Sequence, residues 1–205
     1  MEEKKSHWEN IYQTRKLTEV SWYQPKPEVS LDYIAELNLN KNARIIDVGG
    51  GDSFLVDFLL AEGYTNITVL DISEKSLERA RERLGDQAKK VTWIAADVST
   101  FSLTHTFDLW HDRAAYHFLT GEDQIKNYLY TLENCVALKG TVILGTFSKK
   151  GPDKCSGLPI RQYAVEDMEN LLTTRFKRII CENIDHITPS GAVQNFTFCR
   201  FQKIE

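Results

Sequence analysis

"IIDVGGGDSFLVDFLL", residues 45–60, runs an apolar strand into three consecutive glycines and then into a helical pattern. Gly49, Gly50 and Gly51 have no side chains, so they permit a tight turn with unusual dihedrals and let a ligand lie against the backbone. The helix that follows presents free N–H groups at its start. "ARIIDVG" (43–49) reads as a first strand, and in "DSFLVDFLLAEG" (52–63) Leu55, Phe58, Leu59 and Gly63 recur at helical spacing.

The same alternation continues outward from this unit. "NITVLD" (66–71) is a second strand, and "SEKSLERARERLG" (73–85) a helix with Ser73 as N-cap, a stripe of Leu77, Ala80 and Leu84, and Gly85 as its stop. "KVTWIAAD" (90–97), "FDLWHD" (107–112) and "GTVILGTF" (140–147) are the third to fifth strands. In "TGEDQIKNYLYTLENCVAL" (120–138) the Thr120 to Asp123 spacing resembles a capping box, and Ile125, Tyr128, Leu129, Leu132 and Val136 fall at helical intervals. "VEDMENLL" (165–172) is a further helix. Strands alternating with helices predict an α/β fold on a mostly parallel sheet. The closing runs "FKRIICENIDHI" and "QNFTFCRFQ" are joined by "TPSGAV", shorter than the roughly dozen residues a parallel crossover needs, so they pair as antiparallel neighbours.

At 205 residues, with 42% hydrophobic and 26% charged residues, the chain has the composition of one soluble globular domain. A formal net charge of −4 offers no electrostatic footprint for nucleic acid or an anionic membrane surface. The basic cluster "RARER" (79–83) reads as a solvated helix face. No apolar run reaches the roughly 18 residues of a membrane span, and "MEEKKSHWEN" lacks the apolar core of a secretory signal, so a cytoplasmic location is expected. Cys135, Cys155, Cys181 and Cys199 are widely spaced; neither a metal site nor a disulfide framework is indicated, and reduced thiols are expected.

In a doubly wound sheet, ligands bind outside the carboxyl ends of the strands, where these glycines sit. Asp71 follows Gly51 by twenty residues, at the end of the second strand, where a carboxylate can accept ribose hydroxyls. A dinucleotide site wants a small residue at the last position of the loop motif, but "GGGDSF" puts Phe54 there and Asp52 in the loop, whose charge opposes a pyrophosphate. A phosphate-free nucleoside such as S-adenosylmethionine suits the loop better, and its amino group welcomes Asp47.

"DVGGGDS" (47–53) resembles the D/E-x-G-x-G-x-G loop of class I S-adenosylmethionine-dependent methyltransferases, with Ser53 in place of the third glycine. "VLDIS" (69–73) resembles their ribose-binding acidic loop, "AADVST" (95–100) the loop whose aspartate holds the adenine amino group, and "LKGTVILGTF" (138–147) their fifth strand. The resemblance covers about residues 40 to 205. It implies a three-layer, Rossmann-like sheet of seven strands in the order 3-2-1-4-5-7-6 with strand seven antiparallel. It also implies a cofactor site of Asp47, Gly49, Gly50, Gly51, Ser53, Asp71, Ile72, Asp97, Val98 and His111.

The loop after strand four, "LWHDRAAYHFLT" (109–120), faces the methyl group in that family. It resembles both the "W-D-R-G-A-L" of thiopurine S-methyltransferases and the "D-K-G-T" of seven-strand protein-lysine methyltransferases. His111, Asp112, Arg113, Tyr116 and His117 are the candidate catalytic residues, a histidine near neutral pKa being suited to proton removal. Asp112 and Arg113 read equally as a structural ion pair, and His117 as a half-buried helix residue.

Residues 1–40 read as a helical, aromatic lid packed on a core domain of residues 41–205. In "HWENIYQTRKLTEVSWYQPKP" (7–27) Trp8 and Tyr12 share a helix face, and Trp22 and Tyr23 are candidate acceptor contacts; the segment either closes over a ligand or staples the N-terminal helix. In the long loop "SKKGPDKCSGLPIRQY" (148–163) Arg161 meets an acceptor carboxylate or serves the surface, and Cys155 reads as a pocket-lining or incidental thiol. His186 faces the acceptor or caps the hairpin. The expected activity is methyl transfer to a heteroatom of a small molecule, with protein lysine as the alternative acceptor. A nicotinamide oxidoreductase or a non-catalytic nucleoside-binding protein is a remoter reading. Neither the acceptor nor the oligomeric state is fixed by the sequence, and no metal, nucleic acid or membrane partner is implied.

Overall fold

The computed structural model describes residues 2–101, 105–172 and 175–205. Helices α1 (Glu2–Thr14) and α2 (Glu28–Ala35) precede β1 (Arg44–Val48), α3 (Leu55–Ala61), β2 (Asn66–Asp71), α4 (Glu74–Leu84) and β3 (Val91–Ala95). Then come β4 (Phe107–Arg113), α5 (Glu122–Cys135), β5 (Val136–Phe147), a two-residue ribbon of Lys154–Cys155 and Leu158–Pro159, α6 (Val165–Glu169), β6 (Phe176–Ile187) and β7 (Val193–Lys203).

The main sheet runs β3-β2-β1-β4-β5-β7-β6, the expected order. The strands from β3 to β5 are parallel, while β7 is antiparallel to both β5 and β6. Helices cover both faces because a parallel sheet must be buried on both. On one face Ile45, Ile67, Val69, Leu109 and Ile143 pack with α2, α3 and α4; on the other Ile46, Val48, Trp110, Val142 and Leu144 pack with α5 and α6. Successive side chains of one strand therefore feed different cores, the period-2 consequence of the pleat.

Local chemistry sets the boundaries. Ser73 caps α4 by accepting the Ser76 N–H at 3.3 Å, and Gly85 ends it with a φ of 55°. The expected Thr120–Asp123 box at α5 is displaced by one residue: Gly121 is the N-cap, and Gln124 Oε1 accepts its N–H at 3.4 Å. The same helix stops at Cys135, short of the expected 138, because Val136 enters the ladder opposite Phe107. In α2, Leu31, Tyr33 and Ile34 join the core, and Tyr33 donates its hydroxyl to Glu182 of β6 at 2.6 Å. Of residues 1–40, α2 is thus joined to the core.

One expectation about the cysteines is corrected. Cys181 and Cys199 are joined in a disulfide, because the β6–β7 register sets them opposite each other with Cα atoms 4.1 Å apart. Cys135 and Cys155 are buried and stand outside this disulfide. The cysteines thus give no argument for a reducing compartment. Among the described residues, no helix is long and apolar enough to cross a membrane.

Gly145 of β5 lies beneath Phe198 of β7, and a Cβ there would stand 2.6 Å from the Phe198 ring. Gly145→Ala should overpack this contact at a cost of about 1–3 kcal/mol. A thermal melt should show the midpoint lowered by several degrees; an unchanged midpoint would contradict the close packing.

Candidate active site

Strands β1, β2 and β4 end along one edge, and there α1 and its strap roof a cavity. The glycine turn forms its floor. Gly49 and Gly51 have φ of +68° and +49°, in the left-handed region that a residue with a Cβ enters at a cost. A Cβ on Gly51 would come within 2.8 Å of the Tyr12 hydroxyl and 3.1 Å of Asp71 Oδ2, so the bare backbone leaves space between a roof phenol and a strand-end carboxylate. Ser53 Oγ accepts the Leu55 N–H at 3.2 Å, taking up a helix-start donor where the family loop has a glycine.

The arginines expected on a solvated face of α4 clamp this loop instead. Arg83 donates to the Asp52 and Ser53 carbonyls at 2.7 and 2.8 Å and to both Asp57 oxygens, while Arg79 pairs with buried Asp52 at 3.0 Å. Arg79 also donates to the Tyr12 and Arg15 carbonyls at 3.0 Å, tying the end of α1 to the loop.

Four carboxylates line the glycine end of the cavity: Asp47, Asp52, Asp71 and Asp97. Asp71 Oδ1 accepts the Ser73 N–H at 2.8 Å, yet burial pushes its carboxyl up to about 7. Asp97 Oδ1 accepts the Ser99 N–H and hydroxyl at 2.8 and 2.7 Å, and Ile72 and Val98 add apolar wall. The β1–β4 register places Asp47 beside His111, whose Nδ1 lies 2.7 Å from Asp47 Oδ1. With a carboxylate as partner, Nδ1 carries the proton, and Nε2 meets the Ser30 hydroxyl of α2 at 2.8 Å. Both ring nitrogens of His111 are thereby committed.

Along β4 the pleat separates neighbours. His111 and Arg113 face the cavity, whereas Asp112 points to the α5 side and does not line it. There Asp112 Oδ1 accepts the Ala115 and Tyr116 N–H groups at 2.9 and 3.1 Å, and Oδ2 accepts the Tyr128 hydroxyl at 2.7 Å, which in turn accepts the Trp110 N–H. Burial raises its carboxyl to about 6. The arrangement is that of a turn-holding carboxylate, not of one at a reacting centre.

The other expected residues divide. Tyr116 and His117 are fully buried outside the cavity; His117 Nδ1 accepts the Phe147 N–H at 3.2 Å, and burial lowers its pKa to about 3, so it is neutral and remote. Arg161 is also away from the cavity, paired with Glu122 at 2.9 Å, because the long loop folds back on α5. His186 donates from Nε2 to the Ser21 carbonyl at 2.7 Å and lines a smaller adjoining cavity. Trp22 and Tyr23 do line the main cavity, with Trp8, Tyr12 and Phe118. Cys155 lines it too, its thiol pushed up to about 11 by burial and hence protonated.

The sequence reading missed Ser30, Arg79 and Glu9. Glu9 of α1 accepts the Glu74 and Lys75 N–H groups at 2.8 and 3.1 Å and the Ser73 hydroxyl at 3.0 Å, a carboxylate seated on the start of α4. An acidic residue one turn from an aromatic stripe gave no distinctive signal, since only the fold brings it to another helix. Among the described residues, no cluster of three or more His, Cys, Asp or Glu side chains is placed to hold a metal ion.

Comparison with known proteins gives this geometry a family context. Residues 45–140 match the "Methyltransferase domain" family. The chain is 30% identical over 108 residues to a malonyl-[acyl-carrier protein] O-methyltransferase of Anoxybacillus flavithermus, covering 52% of this chain and 39% of that protein. It is 26% identical over 121 residues to the mouse eEF1A lysine and N-terminal methyltransferase, covering 58% of this chain and 17% of that protein. In three dimensions it is similar to the Burkholderia thailandensis 1,6-didemethyltoxoflavin-N1-methyltransferase, solved with 1,6-didemethyltoxoflavin and S-adenosylhomocysteine, with a TM-score of 0.74 at 17% identity over 98% of this chain and 87% of that one. The narrower likeness of residues 109–120 to thiopurine and lysine enzymes rests on those residues alone.

The raised carboxyl of Asp71 has a measurable sign. The folded state keeps this proton up to about pH 7, while the unfolded chain releases it near the ordinary value of 3.8, so stability falls as pH rises through that window. Asp71→Asn removes the group, and its melting temperature relative to wild type should rise between about pH 5 and about pH 8. A difference that stays constant over that range would count against burial as the cause.

Proposed function

Because residues 45–140 match the methyltransferase-domain family and the whole chain has the class I, Rossmann-like fold, we propose that the protein transfers a methyl group from S-adenosylmethionine to a heteroatom of a small molecule. The observation that carries this reading is the convergence of the bare glycine turn with Asp71 and Asp97 on one roofed cavity. The residues present fit that cofactor. Gly51 leaves open the space beside Asp71 that a Cβ would fill, and the carboxylates suit a phosphate-free ligand bearing an ammonium and a sulfonium.

When bound, S-adenosylmethionine would supply an activated methyl group: a lone pair of the acceptor bonds to the methyl carbon as the carbon–sulfur bond breaks, and its electron pair stays on the sulfur of S-adenosylhomocysteine. The protein's part is mainly placement. Asp71 would accept from the ribose hydroxyls, Asp97 from the adenine amino group, and Asp47, held by His111, would serve the ammonium. Trp8, Tyr12 and Trp22 exclude water over the cavity, with ring centroids 5.7 to 6.2 Å apart. Correct placement alone can account for roughly 7–11 kcal/mol of a displacement barrier. His111 has both ring nitrogens bonded and Cys155 is protonated, so neither is free to take a proton from the acceptor.

The roof favours a small acceptor over a protein side chain. None of its helix α1 is fully buried, and it is held by the Glu9 seat on α4, the Arg79 bonds and the Lys4 ammonium on the Phe118 carbonyl at 2.8 Å. A lid held by polar contacts opens without disturbing the core.

Three measurements test the reading. Calorimetry should detect S-adenosylhomocysteine binding, and a folded protein that gives no heat with it would end the methyltransferase proposal. Labelled methyl groups should appear in the low-mass fraction of a treated lysate; label confined to protein would transfer the acceptor to the lysine class. Glu9→Ala removes three hydrogen bonds to the lid, each worth about 1 kcal/mol, and should speed S-adenosylhomocysteine release tenfold or more in stopped-flow tryptophan fluorescence.

A further inference from the structure

Arg113 lines both the main cavity and the smaller adjoining one. Its Nη1 donates to the Trp22 carbonyl at 3.1 Å, and its guanidinium lies 5.0 Å from the Phe196 ring centroid. Its Nη2 is buried and has no hydrogen-bond partner among the described residues, and no described carboxylate is within ion-pair distance of it. A guanidinium offers five N–H donors in a planar fork, and a buried cation left without a counter-charge is costly.

The neighbouring groups do not pair with it directly. Cys155 is a protonated thiol; Asp47 is bonded to His111 and favours the Arg113 cation only from beyond ion-pair distance; and His117 and His186 are both held below the usual histidine range, by burial first and then by Arg113 itself. Burial lowers the Arg113 pKa only to about 10, so the cation persists at neutral pH. Gln24, which also lines both cavities, adds an uncharged amide on the same side.

On the methyltransferase reading above, we infer that the acceptor is an organic acid whose carboxylate seats on the free edge of Arg113. A planar carboxylate matches the guanidinium fork with two parallel hydrogen bonds. The same cation opposes an ammonium in the cavity, so Arg113 selects against a protonated lysine. The other carboxylate the cavity could receive belongs to the cofactor's methionine portion, and the two sources separate experimentally.

The probes are S-adenosylhomocysteine and the pair benzoate and benzamide, alike in shape and different in charge. In wild type saturated with S-adenosylhomocysteine, benzoate should bind at least tenfold more tightly than benzamide by calorimetry or thermal shift. Arg113→Met should abolish that preference while leaving S-adenosylhomocysteine affinity within about threefold of wild type, and Arg113→Lys, which keeps the charge without the fork, should retain part of it. Equal binding of benzoate and benzamide by wild type overturns the inference, and this arm needs no variant to fold. A loss of S-adenosylhomocysteine affinity of tenfold or more in Arg113→Met, with the melt still cooperative, also overturns it by giving Arg113 to the cofactor. Failure of wild type to bind S-adenosylhomocysteine would fall on the methyltransferase reading, and the benzoate arm can still be read on the protein alone.

Discussion

The pleat at the end of β4 is the constraint on which the site depends. Side chains alternate across a strand, so His111 and Arg113 must share one face and Asp112 must take the other. Each face then binds its own helical layer. His111 links Asp47 of β1 to Ser30 of α2, and Asp112 links the turn after β4 to Tyr128 of α5. Two buried polar networks, back to back on adjacent residues, fix the cavity floor from both sides of the sheet. Such networks are stable only when nearly every donor and acceptor is met, which is why both are almost fully satisfied.

The electrostatic layout follows from where these networks end. Carboxylates gather at the carboxyl ends of parallel strands, around a loop that needs no side chains, and burial raises Asp71 and Asp112 toward neutral pH. A carboxylate held out of water in this way is strained relative to the unfolded chain. A ligand donating hydrogen bonds to it relieves that strain. The α4 arginines hold the loop through its carbonyls and through Asp52 and Asp57, leaving Asp71 without a cation at ion-pair distance among the described residues.

Much of this was legible in the sequence because it depends on local periodicity and turn chemistry. The alternation of strands and helices, the antiparallel closing hairpin, Ser73 as cap and the position of the glycines follow from short stretches read in order, whereas the strand order came with the resemblance of the loops to class I methyltransferases. Asp112 was legible in principle, since it lies one residue from His111 on a strand; the resemblance of "WHDRA" to a catalytic loop outweighed the period-2 argument. Arg161 and His186 were not legible, because their partners, Glu122 and Ser21, lie far away along the chain. The Cys181–Cys199 pairing depended on hairpin register, which a turn of six residues leaves undetermined until the strands are paired. Glu9 was hidden for the same reason: its meaning lies in α4, not in α1.

The lid and the floor differ in kind, and that difference bears on how the cavity is used. The floor is held by buried side chains of three strands, whereas α1 contributes no fully buried residue and rests on carboxylate, guanidinium and ammonium contacts near solvent. Its aromatic face, Trp8 and Tyr12, points into the cavity and not into the core, so the apolar contact that would hold the lid firmly has to come in part from whatever the cavity contains. A nucleoside lying on the glycine turn would complete that contact from below. Binding and closure are then one equilibrium: the ligand that fits the floor also supplies the surface on which the roof settles, and the roof is loosest when the product has left.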